Sequence, residues 1–158
     1  MKNIRIAYFM VLLVAITVLQ GCPVIEECYP QYFHNKSSDT VCVYFAFGSV
    51  SAYPDTVIPA NPNAISMFVN PNSMLQICND GIPYSKMLKK LPKDTLSVFI
   101  FNVDTLFKYN WNITRAEYKV LRYDLSFNDL ESLDNTIPYP PDERMRNMKM
   151  YPPFRMNL

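Results

Sequence analysis

The chain has 158 residues, a formal net charge of +1, 49% apolar and 18% charged residues, and 13 prolines against 3 glycines. That proline density excludes a long helical bundle or coiled coil, and 11 tyrosines and 10 phenylalanines at low charge exclude disorder. Near-neutrality excludes a nucleic-acid binder that must neutralise many phosphates, and the length suits one domain.

Lys2 and Arg5 lead into residues 6–19, a run without charge. As a helix it reaches roughly 21 Å, short of the roughly 30 Å hydrocarbon core, so it reads as an export segment and not as a membrane span. It closes on Val18-Leu19-Gln20-Gly21-Cys22, which resembles the bacterial lipobox, with Gln20 where a smaller residue is commoner. The resemblance implies that Cys22 is joined to diacylglycerol and that the chain is cut before it. Residues 1–21 are then a lipoprotein signal peptide, 22–38 a tether and first β segment, and 39–158 a single β-rich domain. The mature chain carries 13 basic and 14 acidic residues, a formal charge of −1. Pro23 stands where an inner-membrane retention signal has aspartate. Glu26 and Glu27 resemble the acidic surface-export signal of Bacteroidetes lipoproteins, and equally suit a solvated tether.

Residues 35–39, Asn-Lys-Ser-Ser-Asp, signal a turn, and residues 40–50 a strand. In it Val41, Val43, Phe45 and Phe47 share one face, and Cys42, Tyr44 and Ala46 the other; both are apolar, as in a strand covered on two sides. Between residues 53 and 72, Pro54, Pro59, Pro62 and Pro71 cut apolar pieces at 56–58 and 65–69 into short or edge strands. Residues 74–78 are a further strand, closed by Asn79-Asp80-Gly81. Residues 95–103 alternate Leu96, Val98, Ile100 and Asn102 with Ser97, Phe99, Phe101 and Val103, again apolar on both faces. The period then turns helical from 105, with a strand at about 118–125. Ser126 and Asp129 form a capping box that predicts a helix over 127–133. Residues 136–139 read as a last strand. In 142–150 the acids come first and Arg144, Arg146 and Lys149 later, the order a helix dipole favours, before Pro152-Pro153 stops it. The expected fold is mainly β: a compact sandwich or open barrel with two or three short helices in the C-terminal third.

The segments VFIFNVDTL (98–106), YKVLRYDLS (118–126), IPYPP (137–141) and MKMYPP (148–153) resemble small lipoproteins of unknown function from gut Bacteroidetes. The resemblance implies a lineage and a compartment, and brings no catalytic residues. Asp-Thr-aliphatic occurs at Thr40, Thr56, Thr95 and Thr105, and resembles the O-glycosylation motif of exported Bacteroidetes proteins. Thr56 has the most loop-like setting. The same pattern also suits a turn passing into a strand.

In an oxidising compartment Cys28, Cys42 and Cys78 permit one disulfide. Cys42 with Cys78 is a candidate, and Cys28 with either remains open. His34 is the only imidazole, so neither a metal site nor a cysteine nucleophile is expected, and no cofactor is implied. Asp124 and Asp129 are a candidate carboxylate pair on adjacent elements for glycoside hydrolysis, with turn and capping roles as the simpler account. Trp111, Tyr109 and Tyr118 are candidates for stacking on a sugar or peptide. The expected function is that of a lipid-anchored, non-catalytic protein of the outer membrane, on its periplasmic or surface face. Its partners would be the bilayer through Cys22 and a glycan, peptide or envelope protein. The alternatives are a small hydrolase and a protective, immunity-type lipoprotein.

Overall fold

The computed structural model describes residues 28–47, 67–116 and 120–155. Its strands, all of them antiparallel to their neighbours save one pair, are β1 (Cys28–Asn35), β2 (Val41–Ala46), β3 (Met67–Val69), β4 (Ser73–Asp80), β5 (Leu96–Asn102), β6 (Leu121–Leu125), β7 (Thr136–Tyr139) and β8 (Lys149–Tyr151). The helices are α1 (Tyr84–Leu88), α2 (Val103–Ala116) and α3 (Phe127–Ser132). The strands form two sheets, β4-β1-β7 and β3-β2-β5-β6-β8, in which β1 and β7 run parallel. The arrangement is consistent with a β-sandwich, the first of the two expected architectures.

Alternation explains the layering. Phe33, Val41, Val43, Phe45, Leu96, Val98, Ile100, Tyr123 and Leu125 share one buried core between the sheets. Cys42, Ala46, Phe99 and Phe101 point the other way, into a smaller core with Val120 that Val103 and Leu106 of α2 pack against. The two-faced burial expected of β2 and β5 is therefore what the sheet requires of central strands. Phe33 meets Phe45 edge-on at 6.4 Å, and the Tyr123 hydroxyl donates to the Pro138 carbonyl at 3.3 Å, so each ties one sheet to the other.

The Asn35 turn is held by its own side chain. Its fully buried amide donates to the carbonyls of Asp39, Val69 and Asn70 at 2.8–3.0 Å, and Oδ1 accepts from the Ser37 N–H and hydroxyl. The predicted capping box is present: Ser126 Oγ accepts from Asp129 N–H at 3.2 Å, and Asp129 Oδ2 accepts from Ser126 N–H at 2.8 Å. Ser126→Ala is expected to cost about 1 kcal/mol, read as a shift in the urea midpoint. An unchanged midpoint would mean that packing of Leu130 alone holds α3.

Four expectations are corrected. The helix foreseen at 142–150 is a 3-10 turn, Glu143–Met145, followed by strand β8. Asp142 starts the turn by accepting from Arg144 N–H, and Met145 then buries completely, drawing the chain back so that β8 pairs with the edge of β6. The first β segment, expected within 22–38 beside the tether and outside the domain at 39–158, is β1, the middle strand of the smaller sheet. Helix α1 lies before the C-terminal third, and the strand foreseen at 40–50 runs only over Val41–Ala46, with Phe47 outside the strand and residues 48–50 outside the described residues. The pieces at 56–58 and 65–66 also lie outside them.

Candidate binding cleft

Among the described residues, concavities border the sandwich at several places. The first, of about 400 Å³, is lined by Lys93, Thr95, Asp124, Arg146, Lys149 and the apolar Met148, Met150, Pro153 and Phe154. Asp124, in its lining, belongs to a buried charge network on the outer face of the larger sheet. Arg122, fully buried, donates through Nε and Nη2 to Asp124 Oδ1 at 2.8 and 2.6 Å, and lies over the Phe99 ring at 5.4 Å. Ser97 Oγ donates to the same oxygen at 2.6 Å. The register makes this inevitable once both side chains face that way, because Ser97 sits opposite Asp124 and Phe99 opposite Arg122.

The second cleft, of about 350 Å³, opens where β1 begins and the two short helices α1 and α3 start. Tyr29, Tyr32, Tyr84 and Phe127 supply aromatic walls, with Pro30 and Pro83 stiffening them. Glu131, Asp134, Asn135 and Ser85 add polar groups, and none of the lining side chains is a cation. The rim is tied down, since Tyr32 N–H donates to the Asn135 carbonyl at 2.8 Å and Asn135 N–H to Leu130. Asp134 and Asn135 both take left-handed φ, 51° and 54°, which their short polar side chains tolerate and which turns α3 directly into β7. The third is a shallow groove of about 390 Å³ that brings together Thr105, Tyr109, Asn102 and Tyr139.

The sequence candidates are dispersed among these places. Tyr109 is half-buried in the shallow groove with Lys108 Nζ 5.1 Å from its ring centre. Trp111 lies on α2 with its side chain outside the described set, and Tyr118 lies outside the described residues, as do Thr56 and the lipidation candidate Cys22. Thr40, Thr95 and Thr105 are each half-buried. The Thr95 hydroxyl donates to the Lys93 carbonyl at 2.8 Å, and Thr105 sits in the first turn of α2, its N–H donating to Asn102 Oδ1. Asp124 belongs to the ion pair and Asp129 to the cap, so the two carboxylates do not share a cleft. Among the described residues no group of three metal-ligating side chains occurs, and no helix is long and apolar enough to cross a membrane.

The candidate disulfide between Cys42 and Cys78 does not form. Cys78 is disulfide-bonded on the exposed face of the smaller sheet, whereas Cys42 keeps its thiol, buried beneath the far face of the larger one. The two therefore stand in different layers. Burial pushes the Cys42 thiol up to about 11, which keeps it protonated, the reverse of what an activated nucleophile needs. What sequence reading missed is the aromatic cleft itself. Its residues come from β1, α1 and α3, and Tyr29 and Tyr32 fall in the stretch 22–38 expected to hold a tether and first β segment. No protein-family model matches the chain, and no curated protein matches it.

Proposed function

We propose that the protein is a lipid-anchored, non-catalytic component of the outer membrane whose domain binds its ligand in the aromatic cleft. One observation carries this reading: the cleft opens on Tyr29, only seven residues beyond Cys22. Seven residues span at most about 25 Å when fully extended, so acylation of Cys22 would hold the cleft close to the bilayer surface. The leader ending in Gly21-Cys22 supports export and acylation. The disulfide at Cys78 supports an oxidising compartment. With Cys22 acylated and Cys42 a thiol, Cys28 is the cysteine left for Cys78, and the β1–β4 register sets its backbone two residues from the position facing Cys78. The likeness to gut Bacteroidetes lipoproteins of unknown function suggests the same compartment.

Cell fractionation tests the anchor. The wild-type chain is expected in the membrane pellet and extractable by detergent, whereas Cys22→Ser should move to the soluble fraction or be retained as an uncut precursor. A variant that is processed and still sediments with membranes would overturn the lipoprotein reading.

A further inference from the structure

The cleft at Asp124 shares no residue with the aromatic one, and three kinds of group meet in its lining. The first is the Asp124 carboxylate, 3% exposed. Its Oδ1 accepts three hydrogen bonds, from Arg122 Nε and Nη2 and from Ser97 Oγ, whereas among the described residues Oδ2 accepts none. A carboxylate oxygen left so at a cavity wall is costly until a donor from outside completes it. The second is a pair of ammonium groups. Lys149 stands directly opposite Asp124 in the β6–β8 register, so the two side chains leave the same face of the sheet with Cβ atoms about 5 Å apart. Asp124 nevertheless pairs with Arg122 and not with Lys149, and among the described residues neither Lys149 nor Lys93 reaches a carboxylate. Arg146, by contrast, is held by Glu143 at 2.6 Å. The third is an apolar wall that includes Pro153 and Phe154, just beyond β8.

These groups discriminate between ligands. Arg122 already neutralises Asp124, so Lys93 and Lys149 are a surplus of positive charge that calls for an anion. An amine or guanidinium would answer Oδ2 but face two ammonium groups. A fatty acid or an inorganic dianion would answer the lysines but bring no donor, and would set its own charge beside Oδ2. A sugar acid brings donors, yet turns hydroxyls towards Pro153 and Phe154, whose side chains cannot pair with them. A carboxylate, an N–H and an apolar side chain on one carbon answer all three. We infer that this cleft binds an apolar amino-acid residue by its free α-carboxylate, held by Lys149 and Lys93, with its N–H donating to Asp124 Oδ2. Such a residue is a free amino acid or the carboxyl-terminal end of a peptide, and the cavity of about 400 Å³ admits either. The site stands whether or not the aromatic cleft binds anything.

The test titrates the full mature protein in detergent with free leucine, N-acetyl-leucine and a tripeptide ending in leucine, read by calorimetry and amide NMR shifts. At least one of the three should bind saturably. The tripeptide's carboxyl-terminal amide lacks the carboxylate and isocaproate lacks the N–H, so each should bind at least about tenfold more weakly than its parent. Lys149→Gln and Lys93→Gln should each weaken binding several-fold without lowering the melting temperature, because both ammonium groups are exposed and unpaired in the fold. Asp124 is left intact, since Arg122 depends on it. Binding of free leucine alone assigns the site to a free amino acid, and binding of the acetylated residue and the tripeptide assigns it to a peptide end. Equal affinity for the tripeptide and its amide, equal affinity for isocaproate and N-acetyl-leucine, or affinity unmoved by both lysine variants overturns the assignment. So does the absence of binding by all three probes, in which case Lys149 serves only the surface. None of these outcomes bears on the Cys22 anchor, which fractionation tests separately.

Discussion

Asp124→Ala is expected to destabilise the domain by about 3–5 kcal/mol, because it takes the carboxylate from a fully buried guanidinium. Asp124 Oδ1 accepts from Arg122 Nε, Arg122 Nη2 and Ser97 Oγ, all within 2.8 Å, and Arg122 Nη2 also reaches Ser97 Oγ at 3.3 Å. The charge of Arg122, fully buried over the Phe99 ring, cannot retreat to water, and guanidinium does not deprotonate in proteins. Replacing both partners together, Arg122→Met with Asp124→Leu, should recover most of the loss, since apolar side chains of similar volume incur no charge desolvation. Urea unfolding of the two singles and the double closes a thermodynamic cycle. A single Asp124→Ala costing under about 1 kcal/mol would show that the pair is solvated in solution.

Reduction of the disulfide at Cys78 is expected to cost about 2–4 kcal/mol, measured as the difference in urea midpoint with and without dithiothreitol. The bond lies on the exposed face of the smaller sheet, whose three strands are joined to the larger sheet mainly through the side chains of one core. Releasing it enlarges the unfolded ensemble and loosens the sheet that carries Tyr29 and Tyr32. The buried thiol of Cys42, pushed up to about 11, stays out of exchange in the folded protein. A midpoint indifferent to reductant would mean that core packing alone fastens β4 to β1, and would remove the disulfide as support for an exported protein.

Local chemistry was readable where it is settled by neighbours in sequence. The alternation in β2 and β5 made their double burial legible, because a residue's face depends only on its parity along the strand. The Ser126–Asp129 capping box spans three residues and closes on itself. The turn at residues 35–39 is held largely by Asn35, whose preference for such a turn is intrinsic.

The segment at 142–150 shows the opposite case. Its charge order favours a helix, yet the gain from the helix dipole is a fraction of a kilocalorie, about 0.3–1 kcal/mol, and burying Met145 and pairing β8 with β6 outweigh it. Which cysteine stays a thiol was likewise beyond local reading, because Cys42 and Cys78 differ in the layer they occupy and not in spacing or setting along the chain.

From the sequence by itself came the expectation of an export leader with a cysteine at its end, the central strands of one sheet, the cap of α3 and a mainly β domain, all of them properties of contiguous residues. Only the tertiary structure decided the disulfide layer, the burial of Arg122 on Asp124, and the cleft that sets Tyr29, Tyr32, Tyr84 and Phe127 around one cavity. Those depend on contacts between residues tens of positions apart, which form only when packing free energy outweighs the entropy of closing the intervening chain.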